Sequence, residues 1–276
     1  MSTAYIAGIP ARQLAAAADD NIAVHASWAQ ERLPGARVIR DGGLVLVDSG
    51  LPCDTFNFVL RARLDPGTAQ VRVAQAVDHF RRAGRPFSWW VGPADEPENL
   101  GDLLRAAGLE AAESEVAMAA DLHALPAGHA PPRGLAIARV RTAAQVRDFA
   151  RLLAGNWTPP DPEVTRFYEM AAPALLSEDA PLWLYVGYLG GTPVATSELA
   201  VGGGVAGLYN ISTVASHRRQ GIGRALTLRP LLDARAAGLR LAILQASADG
   251  LGLYSGTGFV ATGQLTEYKP TSEGAR

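Results

Sequence analysis

The sequence predicts an α/β (α+β) fold in two domains, and three observations carry that expectation. Short apolar, β-branched runs alternate along the chain with segments of helical period. A Pro- and Gly-rich stretch, residues 126–134, separates two such series. One apolar run, residues 208–214, passes through the polar turn His217-Arg218-Arg219-Gln220 before Gly221 and Gly223 open a helix. At 276 residues, 48% of them hydrophobic, the chain has enough apolar surface for two cores.

Taken in order, residues 5–33 have helical period through Leu14, Ala18, Ile22 and Trp28, with Pro34-Gly35 as the stop. Val38-Ile39 and residues 44–47 flank Asp41-Gly42-Gly43 as a hairpin, and residues 56–64 alternate as a third strand. Asp65-Pro66-Gly67 is a turn, residues 71–82 a helix burying Val73, Ala76, Val77 and Phe80, and residues 87–91 a short buried strand. A helix over residues 100–107 closes at Gly108, and a strand over 116–122 ends the first series. Proline and glycine oppose both helix and interior strand in 126–134, so this segment is the expected linker between domains 1–125 and 135–276. His129 inside it is expected to face solvent.

The second series begins with a strand (135–140), a helix (143–153), the loop Asn156-Trp157-Thr158-Pro159-Pro160 and a helix (162–176). Antiparallel strands (182–188 and 194–201) follow around Gly190-Gly191-Thr192-Pro193, and Gly202-Gly203-Gly204 turns into the strand at 208–214. After the Gly221-Gly223 helix come a strand (239–245), a short helix (251–256) and a last strand (259–268).

A net charge of −2 gives no global attraction to nucleic acid or anionic membrane, so any basic site is local. The lone Cys53 excludes an internal disulfide framework and any multi-cysteine metal site, reads as a packing residue, and suits a reducing cytosol. The first twenty residues lack a signal-peptide pattern, and no apolar run is long enough to span a bilayer. These features lead us to expect a cytoplasmic protein with no metal, nucleic acid or membrane partner, either monomer or homodimer. The Arg-for-Lys bias, with Lys269 the single lysine, points to a GC-rich bacterial genome.

The turn before the second-series helix has the chemistry of an anion site. The first amides of a helix have no partner within it, and the aligned peptide dipoles concentrate positive charge there. Glycines 221 and 223 let a pyrophosphate approach that backbone, and Arg218, Arg219 and Arg224 add charged donors. No Lys followed by Ser or Thr comes after the second glycine, as a triphosphate loop requires, nor is there the third glycine and later acid of a dinucleotide site. Arg219-Gln220-Gly221-Ile222-Gly223-Arg224 instead resembles the Arg/Gln-x-x-Gly-x-Gly/Ala signature of the GNAT superfamily of acetyl-CoA-dependent N-acetyltransferases. The element order of the second half is similar to that family's throughout.

The first half resembles a second, degenerate copy. HFRRAGRPFSWWVGP from His79 runs like DARAAGLRLAILQAS from Asp233, and the segment 103–109 aligns with 253–259. The resemblance therefore implies two GNAT-like domains, each a mixed, mostly antiparallel sheet flanked by helices. In the first copy the anion turn has become Leu64-Asp65-Pro66-Gly67-Thr68, where Pro66 lacks a donor and Asp65 repels phosphate, so it is expected to bind no cofactor.

The same resemblance implies that acetyl-CoA lays its pantetheine arm along Ile211, Ser212 and Thr213 and its pyrophosphate on the amides of Arg219, Gln220, Gly221, Ile222, Gly223 and Arg224. Tyr254, in LYSGTGF, matches the position of a phenol that protonates the leaving thiolate; the other reading is a ring packed beside Phe259. Glu198 is the first candidate base for the amine, ahead of Asp161 and Glu163. Asn156, Trp157 and Asn210, with Tyr168, are expected to line the acceptor side, although Trp157 is equally readable as core. The expected activity is transfer of an acetyl group to a primary amine by direct attack in a ternary complex. A non-catalytic CoA-binding or regulatory protein, or an acyltransferase with a longer acyl-CoA, are the alternatives. The identity of the amine is not encoded in any motif, because acceptor loops vary within one fold.

Overall fold

The patterned segments become seven helices and eleven strands among the residues that the computed structural model describes: 6, 8–41, 43–126 and 130–271. Helix α1 (Ala11–Ser27) precedes the hairpin of β1 (Arg37–Asp41) and β2 (Leu44–Asp48), then β3 (Phe58–Leu60), α2 (Ala69–Ala83), β4 (Ser88–Val91), α3 (Leu100–Ala106) and β5 (Leu109–Asp121). The second series is β6 (Leu135–Arg139), α4 (Ala143–Ala154), α5 (Pro162–Leu175), β7 (Leu182–Leu189), β8 (Thr192–Gly202) and β9 (Val205–Thr213). It ends with α6 (Ile222–Ala236), β10 (Leu241–Ala246), α7 (Leu251–Ser255) and β11 (Val260–Pro270). Thr142 caps α4 by accepting from the Gln145 amide, and Asp161 caps α5 by accepting from Glu163, with Pro162 in its first turn.

All strands join one mixed, mostly antiparallel sheet in the order β1-β2-β3-β4-β11-β5-β10-β9-β8-β7-β6. The parallel neighbours are β3 with β4 and β9 with β10. The last strands of the two series trade places: β11 pairs with β4 and β5, and β5 pairs with β10. Residues 126–134 connect β5 to β6, and the hydrogen-bonded sheet is not divided there. His129 and its neighbours 127–128 lie outside the described residues, as does Gly42 of the hairpin turn.

Alternation along β7 sorts the core into two layers. Leu182, Leu184 and Val186 pack with Phe149 of α4 and Phe167 of α5, whereas Tyr185 packs with Ile222, Leu226 and Leu231 of α6. Helix α1 crosses between the two series: Leu14 packs with Val205 and Ile243, while Ala23 and Ala26 pack with Val45, Val47 and Leu60. Its approach to the β8–β9 hairpin requires glycine. A Cβ on Gly202 would meet Val24, one on Gly203 the Ala17 carbonyl, and one on Gly207 the Asn21 side chain. Asn21 Nδ2 in turn lies 2.9–3.0 Å from the carbonyls of Ala200, Gly202 and Val205.

Three expectations change. The first helix ends at Ser27, and Gln30–Arg32 forms a separate single 3-10 turn. The third strand is three residues long, because Asp54–Phe56 is a 3-10 turn and Arg61 takes a left-handed φ of 56°. Strand β5 starts at Leu109, well before residue 116; its Glu- and Ala-rich start has weak strand propensity and is ordered by pairing with β11.

Helix α1 is also tied to the first series by a buried charge cluster. Arg63 pairs with Asp19 at 2.5 Å and with Asp95 at 2.9 Å. Burial, reinforced by the Asp19 charge, pushes the Asp95 carboxyl up to about 7 from 3.8. The folded state therefore holds a proton that the unfolded chain releases, and this stabilisation is complete below about 4 and lost as pH rises through about 7. Thermal midpoints measured from about pH 4.5 to about pH 8 are expected to fall less steeply for Asp95→Asn than for the wild type. Parallel curves would show that Asp95 binds no extra proton.

Candidate functional site

The parallel pairing of β9 with β10 runs from Ala206↔Ala242 to Leu208↔Leu244 and stops there. Beyond it β9 carries a bulge, with the register against β8 shifting between Thr196↔Ser212 and Glu198↔Tyr209. Asn210, at φ 52°, sits in that bulge; asparagine tolerates the left-handed region better than most residues. Thr196 Oγ1 donates to the Asn210 carbonyl at 2.8 Å. The bulge turns β9 away from β10 and leaves Ile211, Ser212 and Thr213 along one wall of a channel of about 1070 Å³.

The channel runs to the start of α6. Among the described residues, none of the amides from Arg219 to Arg224 donates to a main-chain carbonyl. Gly221 adopts φ 80° and ψ 0°, which aims the turn into the helix. Arg218, Arg219 and Arg224 line the same space, and Arg224 Nε is buried without a partner. A row of unpaired amides with three guanidinium groups suits a diphosphate. Tyr254, 9% exposed, lines the far wall; burial pushes its phenol up to about 12, so it carries its proton at neutral pH. Its ring also meets Phe259 edge-on at 6.2 Å, so packing and channel exposure coexist. Gly250 makes room for that ring, since a Cβ there would sit 2.8 Å from it.

The corresponding place in the first series is filled by the chain itself. Glu96 pairs with the continuation of β3: its amide donates to the Ala62 carbonyl at 2.9 Å, and its carbonyl accepts from Leu64 at 3.1 Å. In the turn before α2, the Gly67 amide donates to Asp65 Oδ1, and the Thr68 and Ala69 amides donate to the Asp65 carbonyl. The two helix ends nevertheless have the same geometry. Gly84 and Gly238 both have positive φ, and Arg85→Phe80 and Leu239→Ala234 close the two helices with the same hydrogen bond.

Across the bulge from the channel lies a small pocket of about 60 Å³, lined by residues of both series. Glu198, 2% exposed, is its charged group. Its Oε2 accepts from Asn210 Nδ2 at 2.9 Å and from the Tyr168 hydroxyl at 3.2 Å, and its Oε1 lies 2.8 Å from His25 Nδ1. A carboxylate has only lone pairs to offer, so this contact places the ring proton on Nδ1. The His25 ring stacks on Tyr209 at 3.8 Å, and the Tyr209 hydroxyl donates to Asn21 Oδ1. Burial first and the Glu198 charge second raise the Tyr168 and Tyr209 phenols well above their usual range, so both stay protonated.

The acetyltransferase (GNAT) domain model matches residues 99–247, more than half of the 276. The chain belongs to the GNAT acetyltransferases. Its fold is similar to that of a GCN5-related N-acetyltransferase from Kribbella flavida, with 22% identity, a TM-score of 0.71, and 92% of this chain and 96% of that one covered. It is also similar to a tandem GNAT protein from the clavulanic acid biosynthesis pathway, at 16% identity and TM-score 0.58 over 87% and 85% of the two chains. A third similar structure is a GCN5-related N-acetyltransferase from Sphaerobacter thermophilus, at 16% identity and TM-score 0.58 over 93% and 92%. No curated protein matches the sequence. Membership of the GNAT family makes this an acyl-CoA-dependent transferase with a separate acceptor.

Within this GNAT chain the sequence-expected residues divide between the two spaces. Ile211, Ser212, Thr213, Arg219, Gly221, Gly223, Arg224, Asn156 and Tyr254 line the channel, while Glu198, Asn210, Trp157 and Tyr168 line the small pocket. Gln220 and Ile222 are not lining residues of the channel: Ile222 is buried against the sheet, and the Gln220 side chain reaches back to the Ser216 carbonyl, so only their amides are available. Asn156 Oδ1 accepts from Ser212 Oγ at 2.7 Å. Trp157 is 41% exposed, so it is not core. Asp161 is engaged as the α5 cap, Glu163 pairs with Arg166, and neither lines the pocket. Cys53 is buried, its thiol pushed up to about 12 by burial, as a packing residue should be. Missed altogether were His25 and Gln30, because a lone His or Gln on a helical stretch carries no sequence signal until the fold sets it beside Glu198. Among the described residues no helix is long and apolar enough to cross a membrane, and no His, Cys, Asp and Glu group could hold a metal.

Gly223 isolates the ligand's demand for space. A Cβ there meets Leu253 and Thr213 only at 3.7 Å, whereas one at Gly221 would also strain a left-handed backbone. Gly223→Val is therefore expected to keep its thermal midpoint within a few degrees while calorimetric affinity for acetyl-CoA drops at least about 100-fold. Unchanged affinity would remove the helix start from the binding site.

Proposed function

We propose that the protein is an acetyl-CoA-dependent N-acetyltransferase that acetylates a primary amine by direct attack in a ternary complex. The observation that carries the reading is the pairing of two spaces across one bulge. The channel holds unpaired amides and a protonated phenol, and the pocket holds a histidine oriented by a buried carboxylate. When bound, acetyl-CoA supplies a thioester carbonyl for the amine and a thiolate as leaving group. Ile211, Ser212 and Thr213 present strand edge for a pantetheine arm, and the amides of residues 219–224 hold the diphosphate.

Tyr254 gives its proton to the departing sulfur, a task suited to a phenol that is still protonated at neutral pH. On the other side, Glu198 is already surrounded by donors, which weakens it as a direct base. His25 Nε2, the ring nitrogen not engaged by Glu198, takes the amine proton, and Glu198 holds the ring and stabilises its charged form. Glu198 thus acts through His25. The division into a GNAT-like half without a cofactor site (1–125) and a cofactor-binding half (135–276) belongs to the same proposal; it is supported by the self-paired turn at Asp65 and by Glu96 occupying the first-series slot.

CoA release from acetyl-CoA over a panel of primary amines tests the reading, and tight acetyl-CoA binding with no release for any amine would overturn it. Tyr254→Phe is expected to lower kcat about 100-fold with acetyl-CoA affinity within about twofold. His25→Gln and Glu198→Gln are each expected to lower kcat by similar factors. An unchanged kcat in His25→Gln would take His25 out of proton transfer.

A further inference from the structure

One residue that lines the pocket beside His25 carries a buried polar atom that nothing in the chain satisfies. Gln30 is 2% exposed, lines the pocket, and its Oε1 is buried with no hydrogen-bond partner. A buried amide oxygen left unpaired costs about 1–3 kcal/mol, so it marks a place where a donor belongs. Gln30 sits in the 3-10 turn after α1, so the first series contributes this side chain to the wall of a pocket whose acid, Glu198, comes from the second.

The rest of the lining narrows what the donor is attached to. Phe56, Phe58, Phe167 and Trp157 give aromatic walls, and no lysine or arginine is among the lining residues. Glu198 is the ionisable acid there. Such a lining favours a cation over a carboxylate or phosphate, because an anion would face Glu198 with no lysine or arginine beside it and with the one histidine already engaged by that acid. At about 60 Å³ the pocket accepts a chain of a few non-hydrogen atoms and excludes a sugar ring or a folded peptide segment.

We propose that the acceptor is a small aliphatic primary amine without an anionic group, carrying a second hydrogen-bond donor that Gln30 Oε1 receives. The inference rests on the acceptor-site reading above. The amine enters with its nitrogen at His25, its chain crosses the aromatic walls, and a hydroxyl or second ammonium fills the unmet contact at Gln30. Gln30 is then a specificity-determining residue contributed by the half that holds no cofactor, which gives that half a part in the reaction.

Four probes separate the requirements: butylamine, aminopropanol, diaminopropane and β-alanine, similar in length and differing in the terminal group. CoA release is measured with the full-length wild type and with Gln30→Met, which keeps volume and removes the acceptor, and calorimetry follows the same amines binding to protein saturated with CoA. For the wild type, kcat/KM for aminopropanol or diaminopropane is expected to exceed that for butylamine about tenfold or more, mainly through KM, with β-alanine poorest. In Gln30→Met the ratio is expected to fall to about one, while acetyl-CoA affinity stays within about twofold. Equal use of butylamine and aminopropanol by the wild type, a ratio retained in Gln30→Met, or a preference for β-alanine would overturn the inference while leaving acetyl transfer to amines intact. Absence of release with every amine would instead strike the proposed function. Calorimetry then decides the present point: a donor preference lost in Gln30→Met upholds it, and equal binding overturns it.

Discussion

The structure depends on one interruption of hydrogen bonding, the end of parallel pairing between β9 and β10 at Leu208. A parallel pair that continued would bury the backbone of residues 211–213 and leave no edge for a ligand. The extra residue at Asn210 prevents this, and its side chain makes the deviation useful, because Asn210 Nδ2 donates both to Glu198 and to the Tyr168 hydroxyl. Channel and pocket are therefore two faces of one bulge. Backbone that departs from regular pairing is expected to persist only where neighbours hold it, and here Thr196, Tyr168 and Glu198 do so.

The first series shows what the same architecture becomes when the interruption is filled from within. Arg61 has a left-handed φ just beyond the β3–β4 pairing, much as Asn210 does beyond β9–β10. Glu96 then supplies the backbone partner that a ligand would otherwise be, and Asp65 consumes the amides at the start of α2. Two independent changes, one in a loop and one in a turn, close the slot and its anion end.

Legibility in the sequence followed the range of the interactions. Helix starts and stops were readable where a local device fixes them, as at Thr142, Asp161, Gly84 and Gly238, and the glycine turn at 221–223 was readable because its chemistry is main-chain and contiguous. The order of strands was not. Nothing local in residues 109–121 says that this strand lies between β10 and β11, since that pairing is a property of two segments more than a hundred residues apart. For the same reason the pocket was half visible: Glu198 and Asn210 lie twelve residues apart on adjoining strands, but His25 reaches Glu198 from 173 residues away. The length of the third strand was misjudged because its alternating pattern continues through Arg61, where the backbone itself leaves the extended region.

The exchange of β5 and β11 ties the two series to each other. Without β11 the first-series sheet ends at β4, and without β5 the second-series sheet ends at β10, so either half alone would expose unpaired strand edge. Helix α1 adds a second dependence, since Gly202, Gly203 and Gly207 are shaped to receive it and Asn21 binds three carbonyls at the β8–β9 turn. The same helix carries His25 to Glu198, and the turn after it carries Gln30 into the pocket. The contacts that join the two series are thus also the contacts that complete the pocket around Glu198. One helix kept on the second-series sheet is enough to make the first series a wall of the pocket around Glu198.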